Sequence, residues 1–110
     1  MSKSKRLLVI CVDIDDDLWE KAKVKGPVVG RTANLEAATK FSLADPQDTD
    51  GNAMYKAIKT YDELKKEGHK VEIVTLTGSR NLGYKANSEI SRQLEHMVEE
   101  FKPDGAVFVS

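Results

Sequence analysis

The sequence predicts an α/β fold, a three-layer sandwich around a short parallel sheet, Rossmann-like, in the order β-α-α-β-α-β. Two observations carry this. Leu7–Val12 is an unbroken apolar run, as strands buried on both faces are. Two further strand-like runs, Val71–Thr77 and Ala106–Val109, are separated from it and from each other by segments with helical spacing. Such alternation implies parallel strands joined by right-handed crossovers. A chain of 110 residues has room for one small domain, residues 1–110, and not two.

Each element follows from its residues. After the first strand, Asp15–Lys23 reads as a short helix, with Asp15 as its N-cap. Gly26-Pro27-Val28-Val29-Gly30 interrupts regular structure. Thr32 caps a helix running to about Ala44, with Leu35, Ala38 and Phe41 on its apolar face, and Asp45-Pro46 ends it. Met54, Ala57, Ile58, Tyr61 and Leu64 mark the clearest buried stripe in the chain. Lys65 and Lys66 suit the C-terminal end of that helix, and Gly68 suits the position just beyond it. After the second strand, Gly78–Gly83 is a loop, and a long helix carries Ile90, Leu94, Met97, Val98 and Phe101 on one face. Pro103-Asp104-Gly105 turns into the last strand. Three strands are few for a sheet, and nothing covers the last one. The chain is therefore expected to be the front part of a longer protein, or to complete its sheet by association.

Composition narrows the function classes. Lys and Arg number 17 against 18 Asp and Glu, a net charge of −1, which argues against general nucleic-acid binding. No apolar run approaches the ~18 residues of a membrane span. The basic start, Met1–Arg6, leads into too short an apolar stretch for a signal peptide. A single cysteine, Cys11, cannot form an internal disulfide and suits a reducing, cytosolic setting.

The informative chemistry is four aspartates, Asp13, Asp15, Asp16 and Asp17, where the first strand ends. In open α/β sheets, ligands bind at the carboxyl ends of the strands. Carboxylates crowded there repel unless a cation, backbone N–H groups or water offset the charge. Asp13, Asp15 and Asp17 share one face of an extended segment, and such a set can hold Mg²⁺, leaving room for waters and a substrate phosphate. The competing reading makes these acids helix caps. Two loops add anion-binding features: Gly26–Thr32, with Arg31, and Thr77-Gly78-Ser79-Arg80, each leading to a helix N-terminus. Neither matches the P-loop or the dinucleotide fingerprint. Asp45, Asp48 and Asp50 read as caps and turn formers, and Trp19 as packing for the short helix.

Two resemblances attach to these residues. Asp13-Ile14-Asp15, with Ile73–Gly78 as a strand ending in Thr, is similar to the first two motifs of haloacid dehalogenase-like phosphatases. That similarity implies Asp13 as nucleophile and Asp15 as acid/base. The later Lys and acidic motifs of that superfamily are not evident in this chain.

More broadly, the chain resembles an archaeal family catalogued as domain of unknown function number 373. The residues that carry this are Asp13–Asp17, Gly26–Arg31, Ala33–Ala38, Leu43–Asp50, Tyr61–Leu64, Val74–Gly78 and Pro103–Val107. The resemblance implies a soluble N-terminal domain of a predicted membrane protein, with the spans further on, and carries no activity.

The leading expectation is a cytosolic domain of a membrane-associated protein, binding a divalent cation and a phosphorylated or nucleotide-like ligand. Asp13, Asp15 and Asp17 would hold Mg²⁺, and Arg31, Thr77, Gly78, Ser79 and Arg80 the anion. The alternatives are a Mg²⁺-dependent phosphohydrolase using Asp13 and a homo-oligomeric assembly module.

Overall fold

The computed structural model describes residues 4–81 and 83–110. In chain order the elements are β1 (Arg6–Asp13), α1 (Asp17–Ala22), β2 (Val28–Val29), α2 (Arg31–Ala44), α3 (Asp50–Lys66), β3 (Lys70–Thr77), α4 (Tyr84–Phe101) and β4 (Gly105–Phe108). The sheet has the order β2-β3-β1-β4. β3 and β1 are the two inner strands, and β1 is the middle one of the three parallel strands. It lies parallel to β3 from Arg6↔Lys70 to Asp13↔Thr77, and parallel to β4 from Leu7↔Gly105 to Ile10↔Phe108.

The three expected strands are all parallel, but the sheet is mixed. β2 joins antiparallel, with Val28 opposite Thr75 and Val29 opposite Val74. Two residues carry no readable period. The strand exists because the outer edge of β3 offers backbone groups, and the Gly30 N–H extends the pairing to the Ile73 carbonyl at 2.8 Å.

Strand alternation sorts the core into two halves. Val9, Cys11, Val71 and Ile73 pack against α1, α2 and α3 through Leu18, Ala38, Phe41, Met54 and Ile58. Leu8, Ile10, Val74 and Leu76 face the other way, onto Met97, Ile90, Leu94 and Phe101 of α4. Helices thus cover both faces of the sheet, giving three layers.

The α3 stripe is buried as its spacing predicts, and Gly68 follows the helix at φ +97°, a conformation glycine adopts without strain. Two helices differ from expectation. In α2, Leu35 is 38 % exposed, whereas Asn34 is buried. Its side-chain amide donates to the carbonyls of Val28 and Gly30 and its oxygen accepts the Thr75 hydroxyl at 2.6 Å, so a polar side chain ties α2 to β2 and β3. In α4, Val98 is 45 % exposed and Gln93 is buried.

Candidate metal centre

The alternation that sends Val9 and Cys11 toward α3 sends Asp13 the same way. Asp13 is only 5 % exposed. Its two carboxylate oxygens accept the first free N–H groups of α1, Oδ1 from Asp17 at 3.1 Å and Oδ2 from Leu18 at 2.9 Å. Capping of α1 therefore falls to Asp13 rather than to Asp15, from four residues before the helix. Asp16 sits at the N-cap position in the left-handed region, φ +59°, and makes no side-chain cap bond. Leu18, not Trp19, anchors the short helix: Leu18 is buried and Trp19 is 47 % exposed.

The loop after β3 locks onto the aspartate turn. The Gly78 N–H donates to the Asp13 carbonyl at 2.8 Å, and the Ser79 N–H to the Ile14 carbonyl at 3.0 Å. The backbones pass so closely that a Cβ at Gly78 would overlap the Ile14 carbonyl, which is why glycine is needed there.

One acid joins that the sequence reading set aside as a turn former. Asp50, the first residue of α3, comes to the strand end beside Cys11 and Thr75. Asp13, Asp15, Asp17 and Asp50 each offer a carboxylate oxygen, and these oxygens lie within 4.8 Å of one another. A cavity of about 20 Å³ opens between Asp13, Asp50, Cys11 and Thr75, enough for a water.

The electrostatics are those of crowded, partly buried acids. Burial first, then the charges of Asp50 and Asp15, push Asp13 up to about 7, against the opposing pull of the two α1 N–H groups. Asp17 is raised by burial and by Asp15. Asp50 is raised by burial and by Asp48, Asp17 and Asp15. Burial also holds the neighbouring Cys11 thiol protonated, up to about 11. Among the described residues, positive charge near these acids sits at the rim. Arg80 reaches Asp17 at 3.4 Å and Glu20 at 3.5 Å. Lys21 is engaged by Asp45 and Asp48, and it lowers Asp48 in return. Hard oxygen donors with too little positive charge among them fit a divalent cation.

The residues expected to bind the anion have other partners. Thr77 is buried, and its N–H, carbonyl and hydroxyl are all engaged by Gln93 of α4. The Gly78 and Ser79 N–H groups are spent on β1 as above, and the Ser79 hydroxyl accepts from the Asn81 N–H. Arg31 makes a bidentate pair with Asp62, at 2.7 and 2.9 Å. Asp62 lies 12 residues along α3 from Asp50, about 18 Å at 1.5 Å per residue. Arg31 is thus far from the aspartates, and Arg80 is the one proposed anion ligand whose side chain reaches a carboxylate of the cluster, that of Asp17. The reason lies in β2, whose antiparallel course carries the chain away from the carboxyl edge before α2 starts.

Residues 6–110 match the model of a family described as Domain of unknown function (DUF373). The chain belongs to this family. Relatives of the DUF373 chain include an uncharacterized protein of Archaeoglobus fulgidus, 45 % identical over 103 residues, which cover 94 % of this chain and 30 % of the relative. An uncharacterized protein of Methanocaldococcus jannaschii is 41 % identical over 107 residues, 96 % of this chain and 29 % of the relative. The chain thus spans about three-tenths of the length of these relatives. No solved structure matches it. Among the described residues, no helix is long and apolar enough to cross a membrane.

Proposed function

We propose that this domain binds a divalent cation, Mg²⁺ by preference, through Asp13, Asp15, Asp17 and Asp50, and through the cation a phosphorylated ligand. The observation that carries the reading is the convergence of four carboxylates from two distant segments onto one point, two of them buried. Burying like charges together costs stability unless a counter-charge is present, and the rim arginine reaches only Asp17 of the four. Mg²⁺ accepts a few carboxylates and keeps waters that a phosphate can replace. The relatives' length leaves room for membrane spans outside this chain, and we place the domain on the cytosolic side of such a protein as part of the same proposal.

The phosphohydrolase reading gains less support. A nucleophilic Asp13 would have to turn an oxygen to the ligand, whereas both its oxygens are bonded to the start of α1 and the residue is nearly enclosed.

Calorimetric titration with Mg²⁺ at about pH 8 tests the proposal. Saturable binding should appear, and Asp15→Asn and Asp50→Asn should each weaken it at least tenfold. A flat titration at millimolar Mg²⁺ in the folded protein would sink it.

A further inference from the structure

The two faces of the sheet are covered to different extents at β4. In register, Ala106 lies beside Leu8 and Phe108 beside Ile10, so both point to the α4 side, as Val12 does two residues further along β1. α4 leaves them bare, because it packs over β3 and β1. His96 and Glu100, on one flank of α4, lie beside Val29 of β2 and Glu72 of β3, so the opposite flank, with Val98, is turned toward β4. Phe108 is 65 % exposed, Val98 45 % and Val12 40 %, and Ala106 is exposed as well. Val107 and Val109, which point to the α3 side, are half-buried. Four apolar side chains thus line an open strip beside α4.

The backbone of β4 is open too, since it is an end strand of the sheet. The Val109 N–H donates to the Ile10 carbonyl at 2.9 Å, so the N–H and carbonyl groups of Ala106 and Phe108 point the other way, to the free edge. An unpaired edge beside an uncovered apolar strip is a place for another element.

Connectivity says which element fits. The chain passes from β1 to β3 through α1–α3 on one face, and from β3 back past β1 to β4 through α4 on the other. With crossovers of one hand, every step in the β3-to-β4 direction carries its helix on the α4 face. A further strand beyond β4 would therefore place its helix over the bare strip. The spacing agrees. Packed helices lie about 8–10 Å apart and neighbouring strands about 4.8 Å, so the helix next to α4 belongs about two strands along, over β4 and the strand beyond it. A second copy paired edge to edge would not fill that place, because its own α4 would lie over its own β3 and β1. The relatives have the length for such a unit: about seven-tenths of each lies outside the matched segment.

We propose that this strip is the dock for the helix–strand unit that follows β4 in the longer family proteins. The helix of that unit packs on Val98, Val12, Ala106 and Phe108, and its strand adds parallel to β4. The proposal is independent of the cation reading.

Hydrogen exchange read by mass spectrometry tests it, on this 110-residue chain and on the whole Archaeoglobus fulgidus relative. In the 110-residue chain the Ala106–Phe108 amides should exchange at least about a hundredfold faster than those of Val9–Cys11. In the whole relative the counterparts of those two segments should exchange within about tenfold of each other. A lysine substituted at the counterpart of Phe108 in the whole relative should speed exchange there at least about tenfold, whereas Phe108→Lys should leave the urea midpoint of the 110-residue chain unchanged. A β4 that exchanges as fast in the relative as in this chain, or one unmoved by the lysine, would overturn the proposal. So would slow exchange of β4 in the 110-residue chain that sets in with rising concentration and a doubled mass, which would assign the strip to a second copy.

Discussion

Without a divalent cation, the protein should lose stability as pH rises from about 5 to about 8. Asp13 is the main cause. It is 5 % exposed, and its ordinary value of 3.8 is pushed up to about 7, chiefly by burial. A carboxyl with a raised value binds its proton more tightly in the folded chain than in the unfolded one. The stability it contributes is therefore fully present below about 3.8 and is lost as pH climbs through about 7. At about 1.36 kcal/mol per pH unit, the full interval corresponds to a loss of about 4 kcal/mol, of which about 2.5 kcal/mol falls between pH 5 and 8. Asp17 and Asp50 are raised as well and act with the same sign. The loss is large against a total of about 5–15 kcal/mol for a domain of this kind. Mg²⁺ should reverse it, because the ion binds the deprotonated, folded cluster. At a hundredfold excess over its dissociation constant it adds about 2.7 kcal/mol. Urea unfolding followed by circular dichroism and Trp19 fluorescence, at pH 5, 6, 7 and 8, in EDTA and in Mg²⁺, measures both effects. Asp13→Asn should flatten the profile in EDTA. Stability in EDTA that is level or rising between pH 5 and 8 would refute the reasoning, as would an equal Mg²⁺ effect at both ends.

Three more outcomes are expected. Gln93→Leu should cost about 2–3 kcal/mol in urea unfolding, because the Thr77 N–H and hydroxyl lose their buried partner; a loss under about 0.5 kcal/mol would mean that water replaces the amide. Gly78→Ala should cost about 3 kcal/mol by forcing the loop off the Ile14 carbonyl, and should weaken Mg²⁺ binding in calorimetry by moving Asp13–Asp17; unchanged binding in a destabilised variant would show that the two loops are not coupled. Arg31→Ala should leave Mg²⁺ binding as it is and hardly affect stability, since its pair with Asp62 is exposed; a clear loss of Mg²⁺ affinity would return Arg31 to the site.

Much of the candidate site was legible. The acids at the end of an apolar run mark a strand's carboxyl end, and Asp13, Asp15 and Asp17 do converge there. Asp50 was missed because it belongs to a different helix, and its polar neighbours Asp48 and Thr49 read equally well as a cap. Its approach depends on how α3 crosses the sheet. Gln93 and Asn34 gave no signal because each is a polar residue on a helix whose burial is justified by backbone partners distant in sequence.

The sequence by itself determined the α/β class, the three parallel strands, the two long helices and the placing of the acids at a strand end. Those features rest on local periodicity and on which residues end a run, and both are written in consecutive residues. Tertiary structure alone decided the antiparallel β2, the capping of α1 by Asp13 and the fourth carboxylate. Each depends on which surfaces pack together, and a hydrogen-bond partner or a neighbouring strand many residues away leaves no period in the chain.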